Sequence, residues 1–372
     1  MQKNWISLGL MSGTSGDGVD ASIIKTNGIH KYETVKDKYY EYSSDIYRDI
    51  HNLKEKIHKI EHLNLHNNEI NNLERKITIF HAEIIKELNI SDDTLVGFHG
   101  QTIYHNPKEQ ISMQLGNAKL LNQLTKKNIV FDFRSNDISN GGEGAPLTPI
   151  FHHLISIQHG FKLPVCFLNI GGISNITIIN DKHKLSEIIS RDIGPGNCLI
   201  DNWVRKNSNK KFDQDGILAS SGTQNEVIFE QAQELYMNRN NKNKLSFDTN
   251  DFDISFARGL NLEDGVRTIT DFTASIIGEE LSLTLKKSKE KIENILLCGG
   301  GRKNKVLIKK IKDNLPLNVN FKLIDQYKID GDFIESRAFA FIAVRSVLRL
   351  PISFPKTTGC REPSYGGQLI KR

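Results

Sequence analysis

The sequence predicts an α/β protein of two domains, and three observations support this. Strand-like and helix-like stretches alternate along the whole chain, which is the pattern of α/β folds. The length of 372 residues corresponds to about two domains at ~150 residues each. Residues 5–25 and 165–181 each read as an apolar strand, a turn of small residues and a second alternating strand. We interpret this repeat as a duplicated β-hairpin that opens two similar domains, although two unrelated hairpins would give the same pattern.

Composition excludes several classes of protein. Hydrophobic residues make up 38% and charged residues 25%, which is typical of a globular chain and not of a disordered or fibrous one. The net charge of +5 is spread along the chain, so it fits a small anionic ligand and does not call for nucleic acid. The cysteines are scattered, which excludes a disulfide framework or structural zinc site of the usual spacing. No apolar run approaches the ~20 residues of a membrane span, so we expect a cytoplasmic protein that binds neither nucleic acid nor membrane.

The first half predicts three strands, two long helices, and two buried strands around a shorter helix. Apolar residues recur every three or four positions from Ile70 to Leu88, which predicts a helix with one core-facing stripe. The Gly/Pro-rich stretch 140–149 predicts a loop, so we place the domains at 1–140 and 141–372. The predicted strands are Trp5–Leu10, Val19–Lys25, His30–Tyr42, Val96–His99 and Ile129–Phe133, and the predicted helices are Ser44–His62, Leu65–Asn89 and Ala118–Lys127.

The second half repeats the alternation and ends on an apolar helix. We expect this last helix, with the tail after it, to pack back toward the domain boundary. The Asn/Lys-rich stretch 238–244 reads as a solvated loop without an assigned function. The predicted strands are Val165–Asn169, Ile173–Ile179 and Ile292–Cys298, and the predicted helices are Asn197–Asn207, Gln224–Met237, Glu263–Ser288, Asn304–Asn314 and Ser336–Leu348.

The stretch SGTSGDGVD at 12–20 has the composition of a phosphate-binding turn. Its glycines permit close backbone approach, its hydroxyl and N–H groups can donate to phosphate oxygens, and Asp17 or Asp20 can face a magnesium ion. A plain hairpin turn would use the same residue types. A strand rather than a helix follows, which argues against a dinucleotide fingerprint, and the stretch lacks the lysine of a P-loop.

The stretch RDIGPGN at 191–197 places an aspartate at the end of a strand and in front of a helix. Anions bind at helix N-termini, so Asp192 is a candidate general base that takes a proton from a nucleophile. Asn197 is positioned to cap the following helix. The alternative is a buried turn aspartate bonded to backbone N–H groups.

Two further segments carry candidate binding residues. The three glycines 299–301 follow a strand and would let a flat ring lie against the backbone, although plain turn chemistry would explain them equally. His99 and His105 lack a third metal ligand nearby, so we interpret them as structural or substrate-bonding histidines. Arg134 ends a strand and is a candidate clamp for a carboxylate, because guanidinium binds carboxylate in a bidentate manner; a surface ion pair is its alternative.

Read together, these segments resemble the anhydro-N-acetylmuramic acid kinase family of the sugar kinase/actin superfamily. The resemblance covers nearly the whole chain, and its motifs occur in order: GLMSGTSGDGVD, GFHGQTIYH, DFRSNDISNGGEGAPLTP, FLNIGGISNIT, DIGPGN, LLCGGGRKN and FIESRAFAFIA. It implies two RNase-H-like (actin-like ATPase) domains with a nucleotide cleft between them, which would explain the duplicated hairpins.

The resemblance also implies roles for individual residues. Asp192 matches the catalytic aspartate, and Asp17 or Asp20 would hold Mg2+. Gly16 departs from the family pattern, since a bulkier and often apolar residue usually stands there. The residues that would bind ATP are Gly13, Thr14, Ser15, Gly16, Asp17, Gly18, Val19, Asp20, Gly194, Gly196, Asn197, Gly299, Gly300 and Gly301. Those that would contact the sugar are His99, Gln101, Arg134 and Glu335.

The implied reaction transfers phosphate from ATP to O6 of 1,6-anhydro-N-acetylmuramic acid while water opens the anhydro bridge, with Asp192 deprotonating that water. The product would be N-acetylmuramic acid 6-phosphate, in bacterial cell-wall recycling and amino-sugar catabolism. The expected partner is therefore a small anhydro amino sugar, and a homodimer is left open. The rival functions are a kinase of another anhydro sugar such as levoglucosan, an actin- or chaperone-like ATPase, and a non-catalytic sugar-binding module.

Overall fold

The computed structural model describes residues 3–238, 245–288, 290–315 and 319–372, and it shows a mixed α/β protein with two β-sheets. Most of the stretch 238–244 lies outside these residues. The described strands are β1 (Trp5–Ser12), β2 (Gly18–Thr26), β3 (Tyr32–Glu41), β4 (Leu95–Asn106), β5 (Ile111–Leu115), β6 (Asn128–Phe131), β7 (Val165–Ile170), β8 (Ile173–Ile179), β9 (Ile189–Pro195), β10 (Asn294–Cys298), β11 (Asn320–Leu323) and β12 (Gln368–Ile370).

The helices connect and cover these strands. The described α-helices are α1 (Ser44–Lys56), α2 (Ile60–Leu65), α3 (Asn67–Leu88), α4 (Ala118–Thr125), α5 (Ser135–Ser139), α6 (Pro149–Gln158), α7 (Cys198–Asn207), α8 (Ile217–Ser221), α9 (Glu226–Met237), α10 (Leu262–Lys287), α11 (Lys305–Asp313), α12 (Ile334–Val347) and α13 (Pro355–Thr358). No helix among the described residues is both long enough and apolar enough to span a membrane.

Five strands have the same order in the two sheets: β3-β2-β1-β4-β6 in the first corresponds to β9-β8-β7-β10-β11 in the second. The first runs β12-β6-β4-β1-β2-β3, with β5 paired to β4, and the second runs β11-β10-β7-β8-β9. In the first sheet β1 and β2 form an antiparallel hairpin, and β1 is parallel to β4. In the second, β7 and β8 form the hairpin, and β7 is parallel to β10. The predicted α/β fold with two hairpin-opened sheets is therefore confirmed.

The C-terminal helix α12 packs directly on the first sheet. A Cβ on Gly9 of β1 would lie 1.9 Å from the carbonyl oxygen of Ser336, and one on Gly97 of β4 would lie 2.5 Å from that of Phe339. Two strands therefore need glycine where the helix backbone lies against them. The hydroxyl of Ser7 also donates to the carbonyl of Ala340, at 2.8 Å.

The chain divides into two compact units. The first comprises residues up to Phe161, Asp181–Ile189 and Phe333–Arg372, and the second comprises Lys162–Asn180 and Ser190–Asp332. This division differs from the predicted domains 1–140 and 141–372. The chain re-enters the first unit after residue 332, where α12 and β12 complete its layers. This helix is expected from the sequence to pack back toward the boundary, but the predicted domains place it in the second one.

Local differences from the predicted elements have identifiable causes. The helix predicted over Ser44–His62 is interrupted between α1 and α2, where Ile57 takes an extended conformation. The strand predicted at Val96–His99 continues to Asn106, because β5 pairs with its second half. Short strands such as β5 and β12 lack a long apolar pattern of their own.

His81 on α3 is a buried base that makes stability depend on pH. Burial lowers the pKa of His81 from its ordinary 6.5 to about 4, and its Nδ1 lies 2.8 Å from the carbonyl oxygen of Ile77. Between pH 7 and 5 the unfolded chain takes up a proton at this imidazole and the folded chain does not. Folded stability therefore falls as pH decreases through 6.5, by about 2 kcal/mol at pH 5 for this one group.

We expect His81→Gln to lose about 2 kcal/mol of this pH dependence, measured as the change in unfolding free energy between pH 7 and 5 in urea titrations. The matched control is Thr78→Val, since Thr78 is buried on the same helix and has no titratable group, and it should keep the wild-type pH dependence. An undiminished pH dependence in His81→Gln would contradict this assignment.

Candidate active site

In the first unit, the turn between β1 and β2 forms a compact loop at 13–17. The N–H of Gly16 donates to the carbonyl of Gly13 at 3.2 Å, and the hydroxyl of Ser15 donates to Oδ1 of Asp17 at 2.6 Å. A Cβ on Gly13 would meet only the Ser15 hydroxyl, at 3.7 Å, within 4 Å. The backbone at Gly13 is therefore open to a ligand, which fits a loop that receives phosphate oxygens.

The strands behind this loop hold it in place. The hydroxyl of Ser12 donates to Oε1 of Gln101 at 2.6 Å, and Nε2 of Gln101 donates to the carbonyl of Gly13 at 3.0 Å. Gln101 is fully buried. Its predicted role was sugar contact, and its observed hydrogen bonds instead connect it to the loop. We infer that Gln101 positions the loop.

The remaining predicted residues of the loop divide into exposed and buried groups. Val19 is fully buried in β2 and contributes to the core, and a Cβ on Gly18 would lie 2.4 Å from the carbonyl oxygen of Tyr40. Thr14 is exposed, and Asp17 and Asp20 are partly buried. The side chains that can face a ligand from this loop are therefore those of its first half and its aspartates.

A second feature of the first unit is a cleft of about 380 Å³ lined by residues of β4, β5 and β6 and the segment after β6. His99, Gln114 and Arg134 supply polar atoms, while Phe98 and Met113 supply apolar surface. Clefts of this size with few polar groups on apolar walls are typical of small-molecule sites. The two predicted sugar residues His99 and Arg134 thus lie in one cleft.

Arg134 and His99 are joined by a hydrogen bond that fixes the state of the imidazole. Nη2 of Arg134 lies 2.8 Å from Nε2 of His99, and Nδ1 of His99 lies 2.7 Å from the carbonyl oxygen of Gly100. Guanidinium only donates, so Nε2 accepts and Nδ1 carries the proton. Burial and, secondarily, the charge of Arg134 lower the pKa of His99 well below its ordinary value. His99 is therefore neutral and holds the guanidinium in orientation.

Glu335 lies in the first turn of α12, and its carboxyl group interacts electrostatically with Arg134. Burial raises the pKa of its carboxyl group, and the positive charge of Arg134 partly offsets that rise. A carboxyl group with a raised pKa beside a guanidinium can accept from a sugar hydroxyl or, when protonated, donate to one.

Asp137, which sequence reasoning did not single out, is linked to Arg134 through the backbone of Gly144. Its Oδ2 accepts from the N–H of Gly144 at 2.7 Å, and the carbonyl of Gly144 accepts from Nη1 of Arg134 at 2.7 Å. Its Oδ1 accepts from the hydroxyls of Thr358, at 2.7 Å, and Ser353. The C-terminal segment therefore helps to orient the guanidinium through three successive hydrogen bonds.

In the second unit, Asp192 lies within the edge strand β9 and is only 6% exposed. Its Oδ2 accepts from the N–H of Phe247 at 2.8 Å, and its own N–H donates to the carbonyl of Leu245 at 2.8 Å. The segment after α9 therefore holds the carboxylate in one orientation. An oriented, buried carboxylate is suited to act as a base.

Three glycine-containing turns meet beside this strand. The N–H groups of Gly196 and Asn197 donate to the carbonyls of Gly172 and Gly171, at 2.9 and 2.8 Å. A Cβ on Gly301 would lie 2.2 Å from Cγ2 of Ile170. The turn after β7, the turn after β9 and the turn after β10 therefore pack against one another with no room for side chains.

These turns also leave open backbone. A Cβ on Gly300 would meet only the amide of Asn197, at 3.9 Å, and Gly300 is exposed. Gly194 and Gly299 take positive φ angles, which favour glycine. The predicted helix cap at Asn197 is wrong, since its side chain makes no cap hydrogen bond; Nδ2 instead donates to the carbonyl of Ile170 at 3.4 Å.

Arg302 fastens the glycine turn after β10 and was also missed by sequence reasoning. Its guanidinium donates to both carboxylate oxygens of Asp325 at 2.8 Å and to the carbonyl of Gly299 at 3.0 Å, and it pairs with Asp332. The side chain is almost fully buried. The sequence feature that could have indicated this role is the position of Arg302 directly after three glycines. A turn made of glycines needs side-chain hydrogen bonds to hold its backbone in one conformation.

No group of three or more His, Cys, Asp or Glu side chains within the described ranges could hold a metal ion. Magnesium usually binds through one or two carboxylates together with substrate phosphates and water. Asp17 and Asp20 therefore fit such a metal as single carboxylate ligands, and the assignment between them stays a prediction.

The curated relatives of this chain are named as kinases. The chain is therefore a phosphotransferase. The chain belongs to the anhydro-N-acetylmuramic acid kinase family, whose model matches residues 5–371. The protein of that name from Pelagibacter ubique is 52% identical over 100% of both chains. The one from Zymomonas mobilis is 36% identical over 98% of this chain and 99% of its own.

Among solved structures, the chain is similar to an inorganic polyphosphate/ATP-glucomannokinase from Arthrobacter sp.. The TM-score is 0.42 at 11% identity, over 93% of this chain and 99% of that one.

Proposed function

We propose that the protein phosphorylates O6 of 1,6-anhydro-N-acetylmuramic acid and opens its anhydro ring with water, giving N-acetylmuramic acid 6-phosphate and ADP. The observation that carries this proposal is the family match over residues 5–371. The reaction belongs to peptidoglycan recycling and amino-sugar catabolism, which fits a cytoplasmic enzyme. Assembly of the protein into a homodimer also remains a prediction.

ATP, bound with Mg2+, would supply the phosphoryl group. Two parts of the chain fit such a ligand, because Gly13 and Gly300 each leave open backbone where a side chain would otherwise stand. The loop at 13–17 would donate N–H and hydroxyl groups to phosphate oxygens, with Asp17 or Asp20 toward the metal. The glycine turn 299–301, with Gly194, Gly196 and Asn197, would hold the adenosine side.

Asp192 would take a proton from the water that attacks C1 of the sugar. The backbone N–H of Phe247 holds one carboxylate oxygen, so the orientation of the base does not depend on substrate. As C1–O bond cleavage frees O6, that oxygen becomes the acceptor of the phosphoryl group. Backbone donors of the phosphate loop would stabilise the charge of the transferring group.

The cleft of the first unit would bind the sugar. Arg134 would pair with the lactyl carboxylate, since its guanidinium is already oriented by His99 and Gly144. Glu335 would bond to a sugar hydroxyl or amide. The neutral state of His99 keeps the cleft from carrying a second positive charge.

A kinase of an uncharged anhydro sugar is the closest rival. Levoglucosan carries no carboxylate, so it would not form the charge-assisted hydrogen bonds that the oriented guanidinium of Arg134 can make with an acidic sugar. This observation favours the acidic sugar. A non-catalytic sugar-binding module would leave the oriented base Asp192 without a task, and an actin- or chaperone-like ATPase would turn over ATP without any sugar.

The test is a coupled assay of ADP release with ATP and Mg2+, comparing 1,6-anhydro-N-acetylmuramic acid, levoglucosan and no sugar. We expect the acidic sugar to give about 30- to 5,000-fold higher kcat/KM than levoglucosan, because loss of one partner of a desolvated charge pair costs about 2–5 kcal/mol. Equal turnover with levoglucosan would refute the assigned substrate. Equal turnover without sugar would refute the kinase activity.

A further inference from the structure

Helix α1 reaches the phosphate loop because residue 16 is glycine. A Cβ on Gly16 would lie 2.8 Å from Cγ2 of Ile50, a fully buried residue of α1. Gly16 also has a φ of +65°, a conformation that side chains disfavour. Ile50 therefore fills the space that a side chain at residue 16 would need, so α1 and the loop are in direct contact.

The next turn of α1 brings a lysine to the loop. Lys54 follows Ile50 by four residues and so lies on the same helix face. Its ammonium Nζ donates to the carbonyl oxygen of Thr14 at 2.6 Å. The loop sequence itself contains no basic residue, so this lysine brings a positive charge to it from a different element.

We propose that Lys54 binds the phosphate groups of the nucleotide at the loop 13–17. This rests on the proposed function, because it takes the polyphosphate as the ligand of the loop. The Lys54 ammonium lies at hydrogen-bond distance from the loop backbone, so its charge can also attract phosphate oxygens that reach the loop. The backbone at Gly13, one residue from that carbonyl, is open to a ligand. A P-loop carries a lysine in its own sequence. This loop has none, and helix α1 would supply the lysine instead.

The loop also needs positive charge. Asp17 and Asp20 lie in and just after it, and a polyphosphate adds further negative charge. A single bound cation such as magnesium neutralises part of this. A lysine within hydrogen-bond distance of the loop backbone lowers the remaining repulsion and makes a charge-assisted hydrogen bond.

A purely structural role for Lys54 would be to fasten the Thr14 carbonyl, and substitutions separate the two roles. Lys54→Gln keeps an N–H donor and removes the charge, and Lys54→Arg keeps the charge. Lys54→Met removes both. The matched control is Lys56→Met on the same helix, since Lys56 pairs with Glu69 at 2.6 Å.

The test is calorimetric binding of ATP, ADP and adenosine to each variant. We expect Lys54→Met and Lys54→Gln to weaken ATP binding about 10-fold, the size of one charge-assisted hydrogen bond, and to leave adenosine binding unchanged. Lys54→Arg should retain most of the affinity, and Lys56→Met should match wild type. Full affinity in Lys54→Gln, or equal losses for ATP and adenosine, would overturn the proposal.

A second variant tests the contact with α1. Gly16→Leu would displace Ile50, and we expect it to weaken ATP binding without adding to the loss in Lys54→Met, since both remove the same contact. Full additivity in the double variant would contradict this. Wild-type protein that binds ATP and fails to phosphorylate the sugar would instead refute the proposed function and leave the binding result for Lys54 standing.

Discussion

Asp192→Asn is expected to lower kcat about 10²–10⁴-fold, the usual contribution of a general base, while ATP binding stays close to wild type. Asparagine keeps the shape of the side chain and an oxygen that can accept from the N–H of Phe247. It has no basic site for the proton of the attacking water. The measurement is steady-state turnover together with calorimetric ATP binding.

A matched control separates loss of the base from loss of a buried aspartate. Asp213 is also 6% exposed in the second unit, and its carboxylate accepts from the N–H groups of Leu218 and Ala219. Asp213→Asn is expected to lower stability and to leave the turnover of the folded enzyme unchanged. Near-wild-type turnover in Asp192→Asn would refute the base assignment.

Arg134→Ala is expected to lower kcat/KM for 1,6-anhydro-N-acetylmuramic acid about 10²–10³-fold, because truncating one partner of a buried charge pair costs about 2–5 kcal/mol. The anhydro sugar without the lactyl group, 1,6-anhydro-N-acetylglucosamine, should lose far less. The measurement is the ratio of kcat/KM for the two sugars.

The conservative variant Arg134→Lys distinguishes the contribution of the positive charge to activity from that of the planar, forked guanidinium. The guanidinium donates from Nη1 and Nη2 to Gly144 and His99, and an ammonium cannot reproduce that planar arrangement. We therefore expect Arg134→Lys to recover only part of the activity that Arg134→Ala loses. Equal losses for the sugars with and without the lactyl group would show that Arg134 does not bind the carboxylate.

Much of the fold could be predicted from the sequence, because its signals are local. The two hairpins begin with apolar strands and small-residue turns, and both open sheets of the same strand order. The last helix is expected from the sequence to pack back toward the domain boundary, but the docking of this helix on the first sheet could not be predicted in this way. It depends on the close approach of α12 to Gly9 and Gly97, and a glycine in a strand does not reveal which helix lies against it.

The candidate site could be predicted in part, for a related reason. His99 and Arg134 were expected at the sugar, and the structure joins them by a hydrogen bond in one cleft. Gln101 was expected at the sugar too, and its hydrogen bonds connect it to the loop at 13–17. Asp137 and Lys54 carry no motif of their own, because their contacts join distant parts of the sequence.

The most direct test of the proposed reaction is the mass of the product formed in ¹⁸O-labelled water. Incubation of the enzyme with ATP, Mg2+ and 1,6-anhydro-N-acetylmuramic acid should give a sugar that has gained one phosphoryl group and one water, with the heavy oxygen at C1. A product that gains the phosphoryl group and keeps the anhydro ring, or one that carries no heavy oxygen, would contradict the role of Asp192 in activating water.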